Sequence, residues 1–213
     1  MDSTVLMRTA DIQSALITQK QSAIRPHTSA FLLVALVLLG ATSSGCLVLS
    51  LRPVYDADSI DWEPGLVGTW YDADDRVTLT FDAAEWRSYR LHYDHPSERG
   101  DLTAYMTLLG DDHYLDVGPL RGEDHGSFLL PVHGVLRVTL DGDTLTLTPL
   151  SYDWFSARMK SRQPIGIAAV FDQKQNALIT APTPRLRAWL RGLPATSSAW
   201  GAEASFSRTK PRN

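Results

Sequence analysis

The chemistry open to this chain of 213 residues is set first by its one cysteine, Cys46, and its six histidines. A lone thiol has no disulfide partner within the chain, so Cys46 is free for modification. A metal needs three or four ligands converging at about 2 Å on one ion. His92, His95, His113, His125 and His133 are scattered, and no pair has the i, i+4 spacing of a helical ligand pair. His92 and His95 flank Asp94 and Pro96 and read as solvated groups of a turn. The run Asp72 to Asp75 suggests calcium, but an EF-hand loop counted from Asp72 needs Gly and Glu where Val77 and Ala83 stand, so the run predicts a hairpin turn. Asp111 with Asp112, and Glu123 with Asp124, lie in turn-like segments where their charge is solvated. There is no Gly-x-Ser-x-Gly elbow, phosphate loop or His-Glu-x-x-His helix. The expectation is a non-catalytic protein with no metal and no cofactor.

Cys46 sits at the end of the most distinctive segment. No charged residue occurs between His27 and Arg52, and the centre of that gap is the apolar run Ala30 to Ala41. Its twelve residues would span about 18 Å as a helix, short of the roughly 30 Å hydrocarbon core of a bilayer, which suits the apolar region of a signal peptide. Arg8, Lys20 and Arg25 precede it as a cationic region. The residues Ser43, Ser44, Gly45 and Cys46 resemble a bacterial lipoprotein lipobox, with Ser43 in place of the commoner Leu. The resemblance implies cleavage between Gly45 and Cys46 and lipidation of the Cys46 thiol. It divides the chain into a signal peptide, 1–45, and a mature part. The alternative is an uncleaved anchor over Thr28 to Leu51, 24 uncharged residues. Both place the folded part outside the cytoplasm, because the N-terminal cations stay inside. Leu47 follows the cysteine rather than the Asp that retains enteric lipoproteins in the inner membrane, which leans toward an outer-membrane address.

Composition excludes other classes. With 44% apolar residues, 14 Gly and 12 Pro, the chain is neither disordered nor collagen-like, and its length suits one domain plus an address segment. A net charge of −4 argues against nucleic acid as partner. The charge is unevenly spread: Cys46 to Asp153 carries 7 Arg against 20 acidic residues, whereas Trp154 to Asn213 carries 10 basic residues against Asp172 and Glu203. The basic block either lies against the acidic one or rests on anionic lipid through the helix around Trp189.

Residues 46–64 carry Pro53 and several Asp without sustained periodicity and are expected as a tether. From Gly68, alternating apolar residues recur between turn signals about ten residues apart, the pattern of an antiparallel barrel or sandwich. Strands are predicted over 68–71, 76–81, 86–93, 101–109, 113–117, 128–133, 135–140 and 144–150. Gly142, between two alternating runs, marks a tight hairpin. Ser151 or Asp153 starts a short helix to about Ser161, and strands follow over 168–171 and 177–180. Thr183 is expected to cap, and Pro184 to open, a second helix whose Leu186, Trp189 and Leu190 form one apolar stripe. A last strand covers 203–208, and 209–213 is expected as a disordered tail.

Gly68, Thr69 and Trp70 resemble the Gly-x-Trp signature that opens the first strand of lipocalin-like, calycin-type barrels; the family's Thr-Asp-Tyr motif is absent. The resemblance implies that Trp70 closes the narrow end of the barrel beneath a stacked arginine from near the last strands, Arg185 or Arg208. The run Leu129 to Trp154 is also similar to a segment of uncharacterised bacterial secreted or lipidated proteins, which brings no biochemistry. The fold expected over 65–208 is therefore a mostly β, antiparallel, lipocalin-like barrel of about eight to ten strands with two short flanking helices. Such a barrel either holds a small apolar ligand, in a cavity lined by residues such as Tyr89, Tyr105 and Phe128, or fills itself with side chains and serves as a structural or assembly protein contacting another envelope protein.

Overall fold

In a computed structural model, residues 47–120 and 130–208 are described. Eight strands close into an antiparallel barrel. Seven follow one another in sequence: β3 (Gly68–Asp72), β4 (Val77–Ala83), β5 (Ser88–His95), β6 (Glu98–Leu109), β7 (Asp112–Pro119), β8 (His133–Asp141) and β9 (Thr144–Pro149). The eighth, β12 (Ala204–Arg208), pairs with both β9 and β3 and joins the two ends. This is the up-and-down, lipocalin-like arrangement, in which closure leaves no free barrel edge.

Alternation along the strands separates two cores. Leu79, Phe81, Tyr89, Leu91, Ala104, Met106, Leu115, Val138, Leu145, Leu147 and Phe206 point inward and pack with Leu66 and Trp70 into one buried cluster. Trp62 stacks on Tyr89 at a centroid distance of 4.5 Å, and Phe81 meets Tyr89 edge-on. These side chains thus occupy most of the barrel interior. The opposite faces of β6, β7 and β8 contribute Leu109, Tyr114 and Val135 to a second cluster outside the barrel.

That outer core is covered by two helices and a small sheet. Helix α1 (Tyr152–Ser161) starts at Ser151, whose hydroxyl accepts from the Trp154 backbone N–H at 3.2 Å. It ends where Arg162 adopts a left-handed conformation. Helix α2 (Thr183–Arg191) buries Leu186 and Leu190. Thr183, expected as its cap, begins the helix instead and donates its hydroxyl to the Pro53 carbonyl at 2.8 Å. Trp189 does not face outward: its indole N–H donates to the Ile165 carbonyl and its ring packs 5.8 Å from Phe155. Strands β10 (Ala169–Phe171) and β11 (Ala177–Ile179) form a hairpin beside them.

The expected tether is the main correction. Val48–Ser50 forms strand β1, parallel to β11 and antiparallel to the start of β8, and Ile60–Asp61 forms β2 against β6. Between them Val54 is fully buried. This stretch is a strap bound to the barrel, because its few apolar residues find partners far along the chain. Trp86, placed in a strand by its alternation, lies instead in a one-turn 3-10 segment with φ of 61°, leaving its ring 71% exposed. Of the strand expected over 128–133, Phe128 lies outside the described residues and only His133 belongs to β8.

Candidate functional site

Gly68, Trp70 and Arg208 meet at the barrel end. Arg208 faces Trp70 across the β12–β3 ladder, and its guanidinium lies 4.2 Å above the indole centroid. The same guanidinium donates to the carbonyls of Val67, at 2.9 Å, and Gly65, and its Nε lies 3.3 Å from Asp143. Gly68 has φ of +132°, and a Cβ there would come within 2.7 Å of Arg208 Nη1, so the approach requires glycine. Arg185 lies elsewhere, exposed on α2. Gly45 and Cys46 lie outside the described residues, as does His125.

This cluster is a closure and exposes no reactive group. The Trp70 indole N–H donates to the Leu66 carbonyl at 2.9 Å. Tyr89 donates its hydroxyl to the Glu63 carbonyl and accepts from the Glu63 N–H, which pins the closing turn to the inner wall. Burial pushes the Tyr89 phenol up to about 12, and the hydrogen bond it accepts from the Glu63 backbone offsets this only in part.

A pocket of about 520 Å³ lies instead on the outer wall, between the strap and strands β6 to β8. Tyr55, Ile60, Trp86, Tyr105 and Pro119 give it apolar walls, with Thr103 also on the lining. Tyr55 and Tyr105 contact each other at a centroid distance of 4.3 Å. Asp116 and His133 supply the polar part. The Asp116 carboxylate is 1% exposed; one oxygen lies 2.7 Å from His133 Nδ1 and the other accepts the Val54 N–H at 2.7 Å. The pocket is thus mainly apolar with a few polar atoms at one side.

The residues expected to line a cavity are thereby divided. Tyr89 is consumed by the inner core, Tyr105 faces the outer pocket, and Phe128 lies outside the described residues. The pairing of Asp116 with His133 was missed. In sequence they are one Asp among many and one scattered His, and only the β7–β8 ladder, with Val117 opposite Gly134, brings them together.

The other acidic and histidine groups are surface features. His92 bridges Asp82, at 3.3 Å, and Asp101, and Arg90 also reaches Asp101. The His92 and Arg90 contacts hold the Asp101 carboxyl below the usual carboxylate range. Among the described residues no group of three His, Cys, Asp or Glu is placed to hold a metal ion. The Asp72 carboxylate accepts the backbone N–H groups of Asp74 and Asp75, as a hairpin turn requires. Part of the basic C-terminal block meets the acidic one, through Arg187 with Asp56 and Arg208 with Asp143. No protein-family model, curated protein or solved structure matches this chain.

Proposed function

We propose that this chain is an extracytoplasmic lipoprotein, held on a membrane by acyl chains on Cys46, whose barrel binds a small apolar ligand without catalysing its conversion. The apolar segment ending at Ser43-Ser44-Gly45-Cys46 supports the address. The outer pocket carries the binding reading, since it offers aromatic walls and one polar pair while most of the barrel interior is occupied. Two or three acyl chains make release from a membrane negligible.

Mass spectrometry of the protein extracted from its native membrane tests the address: acyl chains on an N-terminal Cys46 are expected, and an unmodified chain beginning at Met1 overturns it. Native mass spectrometry of the same preparation tests binding. A co-purifying apolar molecule is expected, and a clean apo mass removes the carrier reading. A second reading, an assembly protein that docks another envelope protein, rests on Trp86 and Leu130, which are 71% and 77% exposed.

A further inference from the structure

We infer that the outer pocket takes an amphiphile with a hydroxyl or amine head directly from the bilayer that anchors the chain; this rests on the proposed lipid anchor and outer-pocket site. The first observation is the short path from anchor to pocket. The chain enters the sheet at Val48, and the Leu47 N–H is already held by the Asn176 side-chain carbonyl at 2.9 Å. From Cys46 to Ser50 the backbone spans at most about 14 Å. Ser50 is directly opposite His133 on the β1–β8 ladder, about 5 Å further. A lipid-bearing Cys46 therefore keeps the His133 wall close to the headgroups, with no spacer between them.

The second observation is the chemistry of the pocket. An apolar body fits Tyr55, Ile60 and Tyr105, with Trp86 at the exposed edge. The head meets His133. With Nδ1 engaged by Asp116, the ring's remaining polar atom is Nε2, which can exchange a hydrogen bond with a hydroxyl or amine head. A fatty-acid head would place a second carboxyl group beside the buried Asp116 carboxyl, an arrangement less favourable than a hydroxyl or amine there. Gly118 lines the pocket beside the ring, and a Cβ there would be in van der Waals contact with Nδ1 at 3.4 Å.

The test uses the full chain extracted from membranes and returned to phosphatidylcholine vesicles containing 9,10-dibromooctadecan-1-ol, whose bromines quench indole fluorescence on contact. The difference between the chain and its Trp86→Phe variant isolates Trp86. Saturable quenching of Trp86 is expected, with the matching dibromo fatty acid about tenfold weaker and His133→Phe about tenfold weaker toward the alcohol. The alcohol-to-acid ratio of the unaltered chain decides the matter even if His133→Phe fails to fold. Equal quenching by alcohol and acid overturns the inference, as does equal quenching by a dibrominated phosphatidylcholine. Quenching by 2-bromonaphthol added in water, with none from vesicle-borne alcohol, overturns the bilayer source but leaves the pocket standing. No quenching from either overturns the pocket reading as well.

Discussion

The guanidinium of Arg208 lies 4.2 Å above the indole centroid of Trp70 and donates to the carbonyls of Gly65 and Val67. One side chain from the last strand thus fixes the first strand and the turn that precedes it. Closure of the barrel depends on this contact as well as on the β12–β3 ladder, in which Ser207–Tyr71 and Arg208–Trp70 are paired among the described residues.

Arg208→Ala is expected to destabilise the domain by about 2–4 kcal/mol, from the lost cation–π contact and charged hydrogen bonds. That corresponds to a fall in Tm of about 5–15 °C, measured by thermal circular dichroism. Arg208→Lys should recover less than half, because an ammonium cannot form the planar fork. Gly68→Ala should be as damaging, since its φ of +132° and the 2.7 Å approach of Arg208 both exclude a Cβ.

Asp116→Ala leaves the Val54 N–H and the His133 ring without their buried acceptor. A loss of about 3–5 kcal/mol is expected. Hydrogen exchange should accelerate first in residues 51–61, where the strap is pinned, before the inner strands β4 and β5. Uniform acceleration across the barrel would show that Asp116 does not hold the strap locally.

Tyr89 and Tyr114 are both pushed up to about 12 by burial. In the unfolded chain their phenols ionise near 10. The folded state therefore binds more protons between these values, and stability that is complete below pH 10 falls as pH rises toward 12. Spectrophotometric titration of the seven tyrosines should show a late fraction, and Tyr89→Phe should reduce it.

Asp101 behaves in the opposite sense, its carboxyl lowered by the hydrogen bond from His92 and then by that from Arg90. Its contribution to stability is present above the ordinary carboxylate value of about 3.9 and is lost as pH falls through the lower folded value. Asp101→Asn should flatten the acid limb of a stability profile while leaving the alkaline limb unchanged. A parallel shift of both limbs would contradict this assignment.

Cys46→Ser should leave a precursor that retains residues 1–45, seen as a higher mass in the membrane fraction. Processing at the same bond without the thiol would show that cleavage does not depend on lipidation.

Much of the barrel was legible because its strands alternate. Leu136, Val138 and Leu140 against Leu145 and Leu147 declare a two-sided hairpin, and Gly142, at φ of 56°, takes the turn that favours glycine. Short or locally irregular segments gave no such signal. β1 is three residues long and pairs with Ala177 to Ile179, more than a hundred positions away. Trp86 continues the apparent alternation of β5 but turns out of it through a positive φ.

The amino-acid order alone determined most of the barrel strands and both helices, the apolar segment that ends at a single thiol, and the residue types at the barrel seam, because these depend on local periodicity and composition. Tertiary structure alone decided that Arg208 rather than Arg185 covers Trp70, that the supposed tether is a bound strap, and that Asp116 meets His133 on the outer wall. Strand register sets which distant side chains become neighbours, and register is a property of the closed sheet as a whole.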